Sequence, residues 1–358
     1  MRICVCCLDK LKSVKSILPF ILLSLFWSGI AAAHCENIRL DLNSSMAQVP
    51  VFDQAGPDWN QDTNICYAAA AAQLVDAYRL QKSPGLKLQL ISPWWVATNY
   101  SSIYKKNEVG LEFGEIARAL EAVKMKGVCS QEDLFENQKP EKVIHFYHLL
   151  KEFFSKHPFE KKAEASEGSN QPLTALLTDS DFIKDPVQAS EISERARNAK
   201  SFNSFIESIF SDKCSGKIAT EDAFNFQRIE FKNKPQSRSQ RAKLINETLQ
   251  SSQPLEASIC SQMFRQSNYQ GVSARGAFTA DCLRHSVMLV GSRKLSDNRC
   301  QYLVRDMYGA DSCHRTMQGK PWYNPQLECS GGQLWISQNL LLNNTWGLTR
   351  IAAPVPKL

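Results

Sequence analysis

Beyond residue 33 this chain of 358 residues contains no C-x-x-C pair, and nowhere does it contain H-x-x-x-H. Those spacings are how a short segment grips zinc, so a zinc site is a poor reading and no metal is called for. Charge of one sign is also scarce. The formal net charge is +6, with no basic helix and no basic stretch interleaved with aromatics. That balance argues against nucleic acid and against an anionic membrane surface as partners. Long apolar runs are few as well. Ile17 to Ile30 is too short for a confident transmembrane helix, which needs about 20 residues. Internal repeats are absent.

What is present begins with that apolar run. Lys10, Lys12 and Lys15 precede it and Ala31-Ala32-Ala33 follow it. A basic start, an apolar middle and small residues at the end describe a signal peptide over residues 1–33, the alternative being a retained anchor. His34 before Cys35 is the wrong residue for a lipoprotein cleavage site. Cleavage removes four basic residues and one acidic one, which leaves a mature chain at +3. The expected location is secreted or periplasmic, with no stable membrane association after the signal is removed.

Twelve cysteines are present, and Cys4, Cys6 and Cys7 leave with the signal. The nine that remain would meet oxidising conditions, where most should pair. Nine is odd, so one thiol is left over if eight pair. Cys313–Cys329 or Cys300–Cys313 is the expected staple around the polar loop "HRTMQGKPWYNPQLE".

The rest of the chain has ordinary globular proportions, 43% hydrophobic and 22% charged, and is long enough for two lobes. Residues 64–82 predict a helix with Asn64 as its N-cap, running through the five alanines Ala68 to Ala72. Ser92-Pro93 predicts the start of another. Phe113, Ile116, Ala117, Leu120 and Val123 recur at helical intervals, and Gly127 ends that pattern. Residues 135–241 turn polar, with short amphipathic pieces between Lys-, Glu- and Ser-rich runs. They read as a mostly helical insertion with flexible joints, either a solvated elaboration or a cap over a cleft. The last hundred residues are rich in short Val- and Leu-bearing segments, "SVMLVGS", "CQYLVRD" and "QLWIS", as strands are. The domains expected are therefore 34–134, helical; 135–241, the insertion; and 242–358, β-rich. N-x-[ST] sites occur at Asn43, Asn99, Asn246 and Asn343.

Cys66 opens the alanine-rich helix. A helix N-terminus presents unpaired N–H groups and the positive end of the dipole, which favour a thiolate there. A base is also needed. His145, His148 and His157 lie in the polar insertion, His34 at the new N-terminus and His314 in a cysteine-bounded loop. His285 differs, because it opens the apolar strand "HSVMLVGS" at a boundary where a side chain can face a cleft. Asp306 ends the next strand, "YLVRD". Taken alone, a cysteine such as Cys66 is more often half of a disulfide, and a histidine such as His285 more often an ordinary strand-end residue. Together the three residue types fit a scheme of nucleophile, base and orienter.

These segments resemble, in the same order, those of the papain-like cysteine peptidases. Cys66-Tyr67-Ala68 in "NQDTNICYA" is similar to the family's nucleophile segment. "GEIARALEAVKMKGVCSQEDLF" resembles its later helix and the "GVC" exit. "KLINETLQSSQPLEASI" resembles the lead-in to its β domain. "RHSVMLVGS", "YLVRDMYG" and "GGQLWIS" are similar to the segments bearing the family's His, its Asn and the terminal "GGxxWI" pattern. The resemblance covers most of residues 51–342 apart from the insertion. From Cys66 to His285 is 219 positions, against roughly 130–150 in the family, an excess comparable to the insertion.

The resemblance implies an α+β, papain-like two-domain fold. A helical left domain and an antiparallel β-barrel-like right domain would flank a cleft. It implies an exported peptidase working through Cys66, His285 and Asp306 on a peptide or protein substrate, as a monomer, with no cofactor. The alternative is an inactive homologue that binds peptides or proteins in the same cleft. Five departures bear on that choice. The oxyanion-hole Gln stands six residues before the cysteine in the family; here Asn60 is six before and Gln61 five before, and either could donate. Asp306 replaces the family's Asn. Tyr308 stands where a Trp shields the His–Asn bond. Thr63 replaces a paired cysteine three residues before Cys66, and the family's long propeptide has no counterpart.

Overall fold

The computed structural model describes residues 35–40, 64–82, 89–105, 108–135, 140–156, 171–179, 186–214, 224–231, 237–272, 277–307, 313, 316–317, 320–321 and 323–352. Asn60, Gln61, Tyr308 and the 1–33 segment lie outside them. Helices fill the first part of the chain: α1 (Cys66–Lys82), α2 (Pro93–Tyr104), α3 (Ile116–Lys126) and α4 (Gln131–Phe135). Then come α5 (Pro140–Lys156), α6 (Gln171–Asp179), α7 (Pro186–Asn198) and α8 (Phe202–Lys213), with α9 (Arg238–Gln250) and α10 (Gln338–Asn344) further on. Strands dominate the rest: β1 (Ile38–Arg39), β2 (Asn225–Glu230), β3 (Leu255–Cys260), β4 (Arg284–Lys294) and β5 (Cys300–Arg305). The last are β6 (Thr316–Met317), β7 (Lys320–Pro321), β8 (Glu328–Ser330), β9 (Gln333–Ser337) and β10 (Thr345–Ala352). The main sheet runs β2-β10-β3-β4-β5-β9-β8, with β1 added on β4 and β6-β7 a separate ribbon. Every pairing is antiparallel. The class is α+β, as expected.

Helix α1 is buried on all sides from Tyr67 to Tyr78. A helix apolar around its whole circumference belongs in a core, and alanine lets neighbours approach its backbone without side-chain entropy cost. It packs on α2, α3, β3, β4 and β10 at once. Its cap falls one residue later than Asn64. The Ile65 carbonyl accepts from the Ala68 and Ala69 amides at 2.9 and 3.0 Å, while Asn64 sits at φ 34° and turns the chain into the helix. Helix α2 starts as expected, with the Ser92 hydroxyl accepting from Trp95 N–H and Pro93 in the first turn. Helix α3 ends at Gly127, at φ 73°. Phe113 is not part of that helix; it stands ahead of it at φ 58° and 74% exposed.

Strand β4 is the spine of the sheet. His285 to Ser292 are buried without a break. Met288 and Val290 join the helical core, while Val287 and Leu289 join a second core under α9 and α10. A strand covered on both faces reads as a continuous apolar run, which is why "SVMLVGS" shows no alternation. Strand β1 passes so close to Gly291 that a Cβ there would meet the Ile38 carbonyl at 2.6 Å.

The polar stretch 135–241 contains more than helices. Asn225–Glu230 form strand β2, paired along β10 from Asn225↔Ala352 to Glu230↔Gly347. Only Phe226 and Ile229 are apolar there, too few to mark a strand in sequence. The helices are not a solvated elaboration either. Phe146, Leu150, Phe154, Leu177, Phe202 and Phe205 are buried in the same core as α1. Cys129–Cys214 ties the end of α8 to the segment after α3. Cys35–Cys300, Cys260–Cys282 and Cys313–Cys329 complete four disulfides, so the Cys300–Cys313 pairing does not form. Asn99 and Asn246 are buried, which bars a glycan on either in the folded chain.

Ala71 is fully buried between α1's neighbours. Ala71→Leu should lower stability by about 1–3 kcal/mol through overpacking, read as a lower denaturant midpoint at unchanged m.

Candidate active site

Cys66 is the free cysteine among the described residues, half-buried at the first position of α1. It faces a cleft of about 500 Å³. One side of this cleft is made by Asn64, Tyr100 and the segment Phe113 to Ala117. The other comes from the sheet, with Arg228 and Glu230 of β2, Ser258 of β3, His285 and Ser286 of β4, and Trp346 of β10. The cleft thus lies where the two apolar cores meet.

His285 enters from the start of β4 and is almost fully buried. Its Nε2 lies 2.8 Å from Asp306 Oδ1. It also shares a hydrogen bond with the Cys66 side chain. With Nε2 taken, Nδ1 is the ring nitrogen left for the thiol. Burial alone would push the imidazolium to lower pKa. The charge and hydrogen bond of Asp306, then the hydrogen bond and charge of Cys66, more than offset it, and His285 is held well above its ordinary 6.5. The structure therefore brings Cys66, His285 and Asp306 together. His145 is exposed on α5, away from the cleft.

Asp306 is buried and fully engaged. Oδ1 accepts from the Met307 amide at 2.6 Å as well as bonding His285, and Oδ2 accepts from the Tyr323 hydroxyl at 2.9 Å. Phe264 lies edge-on to His285, with ring centroids 6.2 Å apart, and edge-on to Tyr323 at 5.4 Å. Phe264 and Tyr323 give the His–Asp pair aromatic cover. Sequence reasoning found neither. Tyr323 sits in a loop read as a polar staple, and Phe264 in a single 3-10 turn after β3. No spacing from Asp306 announces them.

The sheet side of the cleft carries a charge pair that was likewise invisible in sequence. Arg228 Nη1 donates to Glu256 at 2.9 Å, Ser258 at 3.0 Å and Thr349 at 2.9 Å. Its guanidinium lies 4.8 Å from the Trp346 ring centroid. Glu256 is wholly buried, and a buried carboxylate needs such a partner.

The opposite wall is braced from behind. Tyr67 donates to the Leu111 carbonyl at 2.7 Å, and the Leu111 amide donates to the Tyr147 hydroxyl at 2.8 Å. Lys151 pairs with Glu112, and the Phe113 amide donates to the Asn64 carbonyl at 3.2 Å. Asn203 donates to the carbonyls of Lys105 and Glu108 at 2.6 and 3.0 Å. At Gly114 a Cβ would strike the Tyr67 ring at 2.2 Å. Tyr147, Lys151 and Asn203 lie on α5 and α8, within the stretch expected to be surface or cap. Among the described residues none of α5 to α8 lines the cleft; they support its wall instead.

No protein-family model matches this sequence, and no curated protein matches it. Among solved structures it is similar to a recombinant stem bromelain precursor, at 13% identity and TM-score 0.39 over 82% of this chain and 65% of that one. It is similar to the Amb a 11 cysteine protease, a ragweed pollen allergen, in its proform: 10% identity, TM-score 0.40, covering 82% of this chain and 61% of that one. SERA5E from Plasmodium falciparum aligns at 11% identity and TM-score 0.40 over 85% of this chain and 91% of that one. The chain thus spans under two thirds of the length of the first two. What it can do follows from its own side chains.

Tyr147→Phe removes the acceptor of the Leu111 amide. Amide exchange at Leu111 should quicken about tenfold, as expected for loss of one buried hydrogen bond, while β4 amides stay protected. Unchanged exchange at Leu111 would show that the brace does not hold the wall.

Proposed function

We propose that the protein is an exported papain-like cysteine peptidase. One observation carries the reading: the unpaired Cys66 thiol, at a helix N-terminus in a cleft, meets a histidine whose far nitrogen is bound by a buried carboxylate. The ordered sequence resemblance supports it. Four disulfides support export, since such bonds form and persist in oxidising compartments.

Cys66 and His285 act as a thiolate–imidazolium pair. The sulfur attacks the carbonyl carbon of a peptide bond and forms a C–S bond. The oxyanion is held by the Cys66 backbone N–H, which has no acceptor within its helix. Gln61 or Asn60 is the proposed second donor. His285 then gives its proton to the amine nitrogen as the C–N bond breaks. Water attacks the acyl-enzyme, His285 takes its proton, and the sulfur leaves. Asp306 keeps the imidazole oriented and stabilises its charge. Substrate is a peptide or protein segment lying between the Phe113–Ala117 wall and the sheet.

An epoxide directed at thiol peptidases should label Cys66, and Cys66→Ala should abolish labelling. Because His285 is held above 6.5, its imidazolium persists as pH rises past that value. Labelling should therefore hold through neutral pH and fall only on the alkaline side. Folded, reduced protein that takes no label would favour an inactive peptide-binding module.

A further inference from the structure

Asp306 changes the chemistry of the base it orients. An amide would offer His285 a neutral oxygen, whereas a carboxylate offers a full negative charge at 2.8 Å. An imidazolium held that firmly is a poor donor to a leaving amine, because proton transfer is most efficient when the acid is matched to its task. The structure contains a counterweight. Tyr323 donates to Asp306 Oδ2 at 2.9 Å, and the two residues are 5% and 2% exposed, so bulk water does not compete. Among the described residues the titratable groups facing Asp306 are His285 from β4 and Tyr323 from the loop before β8. Cys66 from α1 reaches it only through His285. Tyr323 does not line the cleft.

We propose that Tyr323 is a positioning residue that locks the second oxygen of Asp306 and draws its charge away from His285, tempering the hold on the imidazole proton. The proposal rests on the cysteine-peptidase reading. A hydrogen bond to a buried charge is worth enough to move a titration by about one pH unit. Without it, the negative charge concentrates on the oxygen that faces His285. The imidazolium then keeps its proton to higher pH and yields it less readily.

The test is the pH dependence of peptide hydrolysis, with Cys66→Ala protein as the blank, alongside the NMR titration of the His285 imidazole. Tyr323→Phe keeps the ring against Phe264 and removes only the hydroxyl. Its alkaline limb should rise by about one pH unit, with kcat about tenfold lower and KM unchanged. Asp306→Asn should move the limb down, and adding Tyr323→Phe to it should produce no upward shift. A limb that stays in place or falls in Tyr323→Phe overturns the proposal, as does an equal shift in both backgrounds. The imidazole titration reads these outcomes without requiring turnover. If the unaltered protein alkylates with the pH curve of an ordinary thiol, the peptidase reading fails and this proposal fails with it.

Discussion

The contact between helix α1 and strand β4 is the constraint on which the remaining geometry depends. Both run through the core, and the first residues of both line the same cleft. Cys66 is the first residue of one and His285 the second residue of the other. Five alanines keep the helix thin enough for the sheet and two helices to close on it. A bulkier helix would push β4 away, and the thiol and imidazole would separate. The thiol and imidazole meet because two core elements are packed, with no loop needed to carry either one.

That economy shifts the burden to what stands behind the pair. Asp306 terminates β5, which β4 holds in register from Met288↔Arg305 to Lys294↔Cys300, so the carboxylate arrives at the histidine by strand pairing. Its second oxygen is then satisfied from a loop stapled by Cys313–Cys329. The cleft walls follow the same logic. One is fixed by the Arg228–Glu256 pair across three strands, the other by hydroxyl, amine and side-chain amide groups from α5 and α8. Buried polar groups of this kind are costly unless every partner is in place. The bonds made by Arg228 and Tyr147 hold the two walls in place.

Much of this was legible in the chain itself. The helix over 64–82, the Ser92-Pro93 start, the stop at Gly127 and the strands carrying His285 and Asp306 follow from periodicity and capping chemistry that act over a few residues. An odd count of nine cysteines beyond residue 33 implied one spare thiol, and Cys66 is the one left free among the described residues. The nature of the 135–241 stretch was not legible. Its Lys- and Ser-rich runs suggested a solvated surface, but its spaced aromatics, Phe146, Phe154, Phe202 and Phe205, pack into the central core. Strand β2 was hidden because an edge strand with two apolar residues owes its form to β10, a partner more than 100 positions away.

By itself, then, the sequence determined the class of elements, the spare thiol and the three residue types able to act on a carbonyl. Those properties depend on local backbone preference, burial periodicity and counting. Only the tertiary structure decided that Tyr323 and Phe264 stand behind the histidine, that Arg228 is neutralised on the sheet side of the cleft, and that α5 and α8 brace a wall instead of covering it. Each of those facts is a contact between side chains remote in the chain. Hydrogen bonds and ring contacts of that range leave no period and no spacing to read.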